Sequence, residues 1–266
     1  MKFYHLFLFV LLVFLASCKS EFEALRSSNN PEKVYKAANK YYADKQYDRA
    51  IALYDIVIQY FRGRQEAEDL FYKYAYAHYY QGDYILASTY FKNYSGTFAN
   101  SQNKMDADYM SAYSNYKLSP NYKLDQTYTA KAIEGFEQFV NLYPNTEKAT
   151  EANNMIDEMR RKLEIKSFSQ GELYYKIGEY QAAVTSFQNT LKDFPESKNT
   201  EEIRYLILKS SFILAQNSIY QKQIERYNET LVHYNTFIKK HPNSKYTKDV
   251  NNIHKETLSE LKKLKA

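Results

Sequence analysis

A set of acidic and tyrosine positions recurs along the first half of the chain at a fixed step. In its clearest copy, Asp69, Tyr72, Tyr76 and Tyr79 lie along one face of an α-helix, because their spacing follows the helical period. The set returns thirty-seven positions later and thirty-seven positions earlier, and a weaker version follows in the second half. These copies are Asp106, Tyr109, Tyr113 and Tyr116; Glu32, Tyr35, Asn39 and Tyr42; and Glu202, Tyr205, Lys209 and Phe212. Such periodicity predicts a helical repeat array.

A second helix in each repeat carries one small and one large apolar column. The small column is Ala50, Ala87, Ala132, Ala183 and Thr230, and the large column, four residues on, is Tyr54, Phe91, Phe136, Phe187 and Tyr234. Small residues allow two helices to approach closely, and the aromatic residues fill the space between pairs. Since one pair cannot bury its own apolar face, the pairs must stack, and we expect the alanine column to be buried.

The order of these elements predicts an all-α fold, a helical-repeat solenoid of about five helix pairs plus a capping helix. The step between pairs is unequal, with an insertion around Leu118 to Thr129. The stretch from Glu147 to Ile177 fits either one bent helix or two helices. Lys245 to Leu264 is predicted to form the cap.

Composition adds an unusual tyrosine content to this picture. The chain has 29 tyrosines and no tryptophan, and only five prolines and six glycines interrupt it. Tyrosine offers contact area with few rotatable bonds, which suits protein binding, although tyrosines can equally replace other aromatic residues in a core. The net charge of +5 is too small to indicate nucleic-acid binding. The basic runs Arg62-Gly63-Arg64 and Arg160-Arg161-Lys162 fit a solvated face or a contact with phosphate head groups.

The amino terminus has the pattern of a secretory signal. Met1-Lys2 precedes an apolar run from Phe3 to Ala16, which is shorter than a bilayer-spanning helix requires. The run ends in Leu15-Ala16-Ser17-Cys18, which resembles the bacterial lipobox. The resemblance implies removal of residues 1–17, lipid attachment to Cys18, and a polar lipidated tether over residues 18–30. The alternative is an ordinary signal beside a chance cysteine.

No catalytic, cofactor-binding or metal-binding pattern emerges from the sequence. The histidines lack metal-ligand spacing, and no glycine-rich phosphate loop is present. We therefore predict that the chain is not an enzyme and has no cofactor. The alternative is an enzyme whose active site has none of these motifs.

The small and large columns resemble the tetratricopeptide repeat, and the whole arrangement behind a lipobox resembles the BamD lipoprotein family. The local points of resemblance are Tyr41-Tyr42, Gly82-Asp83-Tyr84, Tyr143-Pro144-Asn145-Thr146 and Gly171-Glu172-Leu173-Tyr174-Tyr175. The resemblance implies a scaffold of the outer-membrane β-barrel assembly machine, anchored by lipid to the outer membrane on its periplasmic side. Its implied partners are unfolded outer-membrane protein precursors, a BamA-type barrel subunit and other lipoproteins of the machine. A lipoprotein repeat adaptor for cell-wall remodelling or secretion is the alternative.

Residues 31–146 are expected to form a substrate groove, and residues 147–266 to dock the partner. In tetratricopeptide arrays the first helix of each pair lines the concave face. The predicted peptide-binding residues are Tyr35, Asn39, Tyr42, Asp69, Tyr72, Tyr76, Tyr79, Asp106, Tyr109, Tyr113 and Tyr116. We expect Tyr72, Tyr76, Tyr109 and Tyr113 to stay partly exposed. The alternative is that these rings only pack against neighbouring helices. In that case, Asp69 and Asp106 lie at helix starts because the helix macrodipole favours negative charge there.

Overall fold

The computed structural model describes residues 20–265, which form twelve α-helices and no strand. The helices are α1 (Ser20–Arg26), α2 (Pro31–Ala43), α3 (Tyr47–Val57), α4 (Ala67–Gln81), α5 (Tyr84–Thr97), α6 (Lys104–Leu118), α7 (Thr127–Leu142), α8 (Glu147–Lys176), α9 (Tyr180–Asp193), α10 (Thr200–Gln216), α11 (Tyr220–Lys240) and α12 (Thr247–Leu264). Helices α2 to α11 form five pairs, and α12 follows as the cap. The predicted all-α, tetratricopeptide-like fold is confirmed.

The chain divides into two compact units. Unit 1 runs to Pro120 and includes Asp125–Asp157, and unit 2 comprises Asn121–Leu124 and Glu158–Ala266. The stretch that the sequence left open as one helix or two is the single helix α8, which contributes residues to both units. Within residues 20–265, no helix has the length and apolar character needed to cross a membrane.

The alanine column lies in the core. Ala50, Ala87, Ala132 and Ala183 are fully buried, as the sequence predicts. The aromatic column behind it supplies the largest core side chains. Its members Tyr54, Phe91, Phe136 and Phe187 are also inaccessible to solvent. Close helix contact and aromatic filling therefore both follow from the small and large columns.

The turn inside the first, second and fourth helix pairs has a common construction. Gly82 and Gly178 have positive φ angles of 87° and 86°, and Lys45 takes the equivalent place with φ 58°. In each turn, the next residue donates its N–H to a carbonyl five positions earlier, as in Gln46 N to Tyr41 O at 2.8 Å. This left-handed cap ends the first helix and starts the second, and glycine adopts it without steric cost.

The structure has a helix within residues 18–30, where the sequence predicts a polar tether. Residues 20–26 form α1, and Leu25 is buried in the core of unit 1. The Phe22 ring meets the Tyr41 ring edge-on at 5.7 Å. Phe22 and Leu25 share one helix face by their spacing, so this polar stretch still has an apolar side to bury. Cys18 and the predicted signal lie outside the described residues.

Candidate functional site

The acidic and tyrosine positions of the recurring set hold neighbouring repeats together. The Tyr35 hydroxyl donates to Asp69 Oδ2 at 2.6 Å, and the Tyr72 hydroxyl donates to Asp106 Oδ2 at 2.7 Å. The Tyr109 hydroxyl continues the series to Glu151 Oε2 at 3.2 Å. Each tyrosine thus reaches the first helix of the next repeat. We call these three contacts the tyrosine–carboxylate ladder.

The ladder corrects the macrodipole explanation of the acidic residues. Asp69 and Asp106 do begin helices, but their carboxylates accept hydroxyl protons from the preceding repeat. Unit 2 has a related contact, in which the Tyr205 hydroxyl donates to Asp249. The acidic position and the first tyrosine position of the recurring set therefore hold neighbouring repeats together.

Asp106 is the most heavily bonded member of the ladder. Its carboxylate accepts from the Tyr72 and Tyr76 hydroxyls and from Lys148 Nζ, the last at 2.5 Å. Burial alone would raise the pKa of Asp106. The hydrogen bonds from Lys148, Tyr76 and Tyr72 outweigh burial, so the pKa lies below its usual value. Asp106 is consequently a fixed negative charge that three donors share.

Asn39 occupies the position in α2 that Tyr76 occupies in α4. Its Oδ1 accepts from the Tyr54 hydroxyl at 2.8 Å and from Lys73 Nζ at 3.3 Å. Asn39 is thus committed to packing contacts within unit 1. The Tyr54 hydroxyl, which is fully buried, obtains its partner in this way.

A second group of tyrosines forms a surface, which we call the tyrosine band. Its members are Tyr42, Tyr47, Tyr76, Tyr79, Tyr80, Tyr113 and Tyr116, all in unit 1. Its first half runs from the Tyr42 ring to Tyr47 at 5.7 Å, then to Tyr80 at 4.9 Å and Tyr76 at 5.6 Å between ring centroids. The last two of these contacts are stacked.

The second half of the tyrosine band continues onto α6. Tyr76 lies 6.5 Å from Tyr79, and Tyr79 lies 6.2 Å from Tyr113. Tyr113 stacks on Tyr116 at 5.7 Å. Helices α2, α3, α4 and α6 therefore share one connected series of rings.

Exposure separates the tyrosine band from the core. Tyr80 is 51% exposed, and Tyr72, Tyr76 and Tyr113 are partly exposed, as expected. Tyr109 is only 6% exposed, so the expectation that it stays open is wrong. Its ring packs between Tyr113 on one side and the buried Phe136 and Phe139 on the other.

The band tyrosines present neutral hydroxyl groups. Burial raises the pKa of Tyr79 to about 12, chiefly by desolvation, and it raises the pKa values of Tyr42 and Tyr76 further. These hydroxyls stay protonated at physiological pH. The surface therefore offers aromatic faces and neutral hydroxyl groups, which suit apolar and aromatic side chains. No cluster of three or more metal-ligating side chains occurs among the residues that the structure describes.

The peptide-binding residues predicted from the sequence do not include Tyr47 or Tyr80. Tyr80 follows Tyr79 in α4, but the equivalent residues in α2 and α6 are Ala43 and Lys117. No recurring column therefore marked Tyr80. The doublet Tyr79-Tyr80 was the available signal, because adjacent aromatic residues near a helix end cannot both enter the core.

Helix pairs with small and large columns, two of them closed by glycine turns, define a tetratricopeptide-like repeat protein. The chain belongs to the family YfiO, outer membrane lipoprotein, whose model matches residues 27–202 and 173–264. The resemblance to the BamD family is confirmed.

Two curated relatives carry the name outer membrane protein assembly factor BamD. The protein of Caulobacter vibrioides is 25% identical over 142 residues, which cover 53% of this chain and 47% of that protein. The protein of Rickettsia prowazekii is 26% identical over 140 residues, which cover 53% of this chain and 52% of that protein. The chain spans about half the length of these relatives.

Two solved structures that match this chain weakly are tetratricopeptide repeat proteins. The TPR2AB-domain:pHSP90 complex of yeast Sti1 has a TM-score of 0.38 at 14% identity, covering 85% of this chain and 98% of that chain. A TPR protein of Thermus thermophilus has a TM-score of 0.32 at 15% identity, covering 86% and 99%.

Proposed function

We propose that the chain is a lipid-anchored scaffold for assembly of outer-membrane β-barrel proteins. In this role, the tyrosine band binds unfolded precursors in an extended conformation. The observation that carries the proposal is the connected, partly exposed series of rings across three repeats. Membership of an outer membrane lipoprotein family and the names of the two curated relatives support it.

The spacing of the rings suits a β-strand segment. Neighbouring band rings are 4.9 to 6.5 Å apart. Side chains on one face of an extended strand recur about every 6.6 Å. A precursor segment with alternating apolar or aromatic side chains can therefore place successive residues against successive rings. Because the hydroxyls of the band are neutral, the precursor segment is held by aromatic and apolar contacts and by hydrogen bonds.

Replacing both Tyr79 and Tyr113 with alanine should weaken the binding of a carboxy-terminal barrel-strand peptide about tenfold or more. These two rings lie 6.2 Å apart at the middle of the band, where loss of an aromatic anchor has the largest effect. Tyr76 is less suitable, because its hydroxyl also belongs to the Asp106 site. Fluorescence anisotropy with a labelled peptide gives the affinity.

Two controls make this result specific. Tyr79→Phe with Tyr113→Phe keeps the rings and should hold the affinity within about threefold. Tyr128→Ala with Tyr220→Ala removes two tyrosines outside the band and should leave binding unchanged. A large loss of stability with unchanged peptide affinity would show that the band rings are core. Binding should survive moderate salt, because the proposed contacts are not ionic.

The anchor in this proposal is a lipid on Cys18, which lies outside the described residues. Cys18→Ser should leave the protein either unprocessed or free in soluble fractions, because two or more acyl chains are what hold a protein stably on a membrane. Cell fractionation followed by mass spectrometry of the product checks this. Mature-length protein that stays in membranes after a wash removing bound partners would count against the anchor.

The remaining repeats complete the scaffold. We assign residues 31–146 to precursor binding and residues 147–266 to docking of the BamA-type barrel subunit, on the periplasmic side of the outer membrane. Capture of that subunit from detergent-solubilised envelope would agree with this assignment. Capture of cell-wall or secretion proteins in its place would contradict it.

A further inference from the structure

A cleft of unit 1, separate from the tyrosine band, combines positive charge with an aromatic floor. It has a volume of about 870 Å³ and lies where the loop before α4 meets the end of α5. The rings of Phe71 and Phe98 meet edge to face at 6.0 Å, and both line the cleft. Arg62, Arg64 and Lys92 supply its charge, and none of its lining residues is acidic. We call it the basic cleft.

Two of the three positive charges have no counter-ion within the described chain. Arg64 lies over the Tyr60 ring at 3.8 Å, and its Nη1 is 3.6 Å from Glu32 Oε1. Between residues 20 and 265, neither Arg62 nor Lys92 pairs with a carboxylate. These two side chains come from different elements, the loop before α4 and helix α5, and meet only through the fold. The cleft therefore presents uncompensated positive charge beside apolar surface.

We propose that the basic cleft binds the phosphate head group of an anionic membrane lipid. Guanidinium and ammonium groups are the usual partners of phosphate oxygens. The Phe71 and Phe98 rings beside them suit the apolar part of an amphiphile, which a free inorganic anion does not possess. Membership of an outer membrane lipoprotein family favours a membrane surface as the source of the phosphate. The site shares no residue with the tyrosine band and stands independently of the precursor-binding proposal.

The test measures binding to vesicles of the chain from Lys19 onward, which lacks both the apolar run Phe3 to Ala16 and Cys18, so that neither a signal segment nor an acyl anchor contributes. Vesicles of phosphatidylcholine with phosphatidylglycerol should bind the protein, and vesicles of phosphatidylcholine alone should not. Arg62→Gln with Lys92→Gln should weaken binding about 30-fold, because each basic residue held against an anionic surface contributes about 1 kcal/mol, an effect that fades with distance from the surface. Lys36→Gln with Lys40→Gln removes the same net charge from exposed positions of α2 and is the matched control.

A second variant tests the cleft without removing a cation. A Cβ built at Gly96, which lines the cleft, meets no atom within 4 Å. Gly96→Glu adds a carboxylate at this open position and should abolish vesicle binding, whereas Gly96→Ala should not. Circular dichroism confirms that each variant is folded.

Three results would overturn the proposal. Equal loss in the control pair would show general attraction of a basic protein. Displacement by millimolar inorganic phosphate at constant ionic strength would assign the cleft to the free anion. Displacement by a peptide that ends in an aromatic residue with a free carboxylate, but not by its amide, would assign the cleft to a peptide terminus.

Discussion

Replacing Asp106 with asparagine is expected to lower the free energy of unfolding by about 2–3 kcal/mol. The carboxylate accepts hydrogen bonds from Tyr72, Tyr76 and Lys148. Asparagine has nearly the same shape, but its NH₂ group faces donors and its neutral oxygen cannot balance the lysine charge. A partly buried ammonium and at least one hydroxyl then lose their acceptor, which costs more than the bonds themselves contributed. Urea unfolding followed by circular dichroism measures the change.

Asp69→Asn is the matched control, since Asp69 holds the equivalent place one repeat earlier. It accepts from Tyr35 and Lys73, but its side chain is 49% exposed against 25% for Asp106. Water can replace the lost bonds there, so the expected cost is below about 1 kcal/mol. Equal costs at the two positions would mean that the third donor and the burial of Asp106 are unimportant.

The same substitution should change the response to acid. The pKa of Asp106 in the folded protein is below the usual value of 3.8. A lowered pKa contributes stability that is present above the unfolded value and is lost as the pH falls through the folded value. The protein should therefore lose stability below about pH 4, and Asp106→Asn should lose less over that range.

The helical repeat was predictable because the small and large residues keep the same four-residue spacing in every pair. Ala87 and Phe91 show this spacing in the second pair, and both are fully buried. Close packing of two helices allows only a small residue at the first place, so composition and geometry are tied together. The same reasoning located the face that carries Tyr72 and Tyr76.

The sequence could not divide that face into its two roles. The spacing put Tyr72 and Tyr79 on the same side of α4, yet Tyr72 reaches a carboxylate of the next repeat, whereas Tyr79 contacts rings. The difference depends on the distance between consecutive first helices, which no local pattern encodes. Tyr109 is closed off for a similar reason, because α7 packs Phe136 and Phe139 against it.

Features built from separate segments were also beyond the sequence. The basic cleft joins Arg62 in a loop to Lys92 one helix later. Arg62-Gly63-Arg64 read alone fits a solvated face as well as it fits a site. Only the aromatic floor and the third cation, both supplied by the fold, distinguish the two.

Tertiary packing explains why a glycine occupies position 171. Gly171 lies inside α8, where glycine is about 1 kcal/mol less favourable than alanine. A Cβ at this position would lie 2.5 Å from Cε1 and 2.6 Å from Cδ1 of Phe187. Phe187 is fully buried and contacts Phe168 with a centroid distance of 5.8 Å. Its ring therefore rests directly on the α8 backbone and has no open side to move toward.

Gly171→Ala is consequently expected to destabilise unit 2 by about 2 kcal/mol, the overpacking cost less the gain in helix propensity. Gly96→Ala is the matched control, because its Cβ meets nothing within 4 Å and should stabilise the protein by up to about 1 kcal/mol. Urea midpoints of the two variants should therefore move in opposite directions from that of the original chain. Similar midpoints would mean that the Phe187 ring does not pack on Gly171.

A double variant separates this contact from any other effect on α8. Phe187→Leu removes the ring atoms that an added Cβ would meet, at the cost of a cavity in the core of unit 2. In that background, Gly171→Ala should no longer be destabilising, because the methyl group then occupies space that the ring has left. The two substitutions should therefore be non-additive, with a coupling of about 1–3 kcal/mol. If the two changes in the free energy of unfolding were strictly additive, the effect of Gly171→Ala would arise within α8 and not from contact with the Phe187 ring.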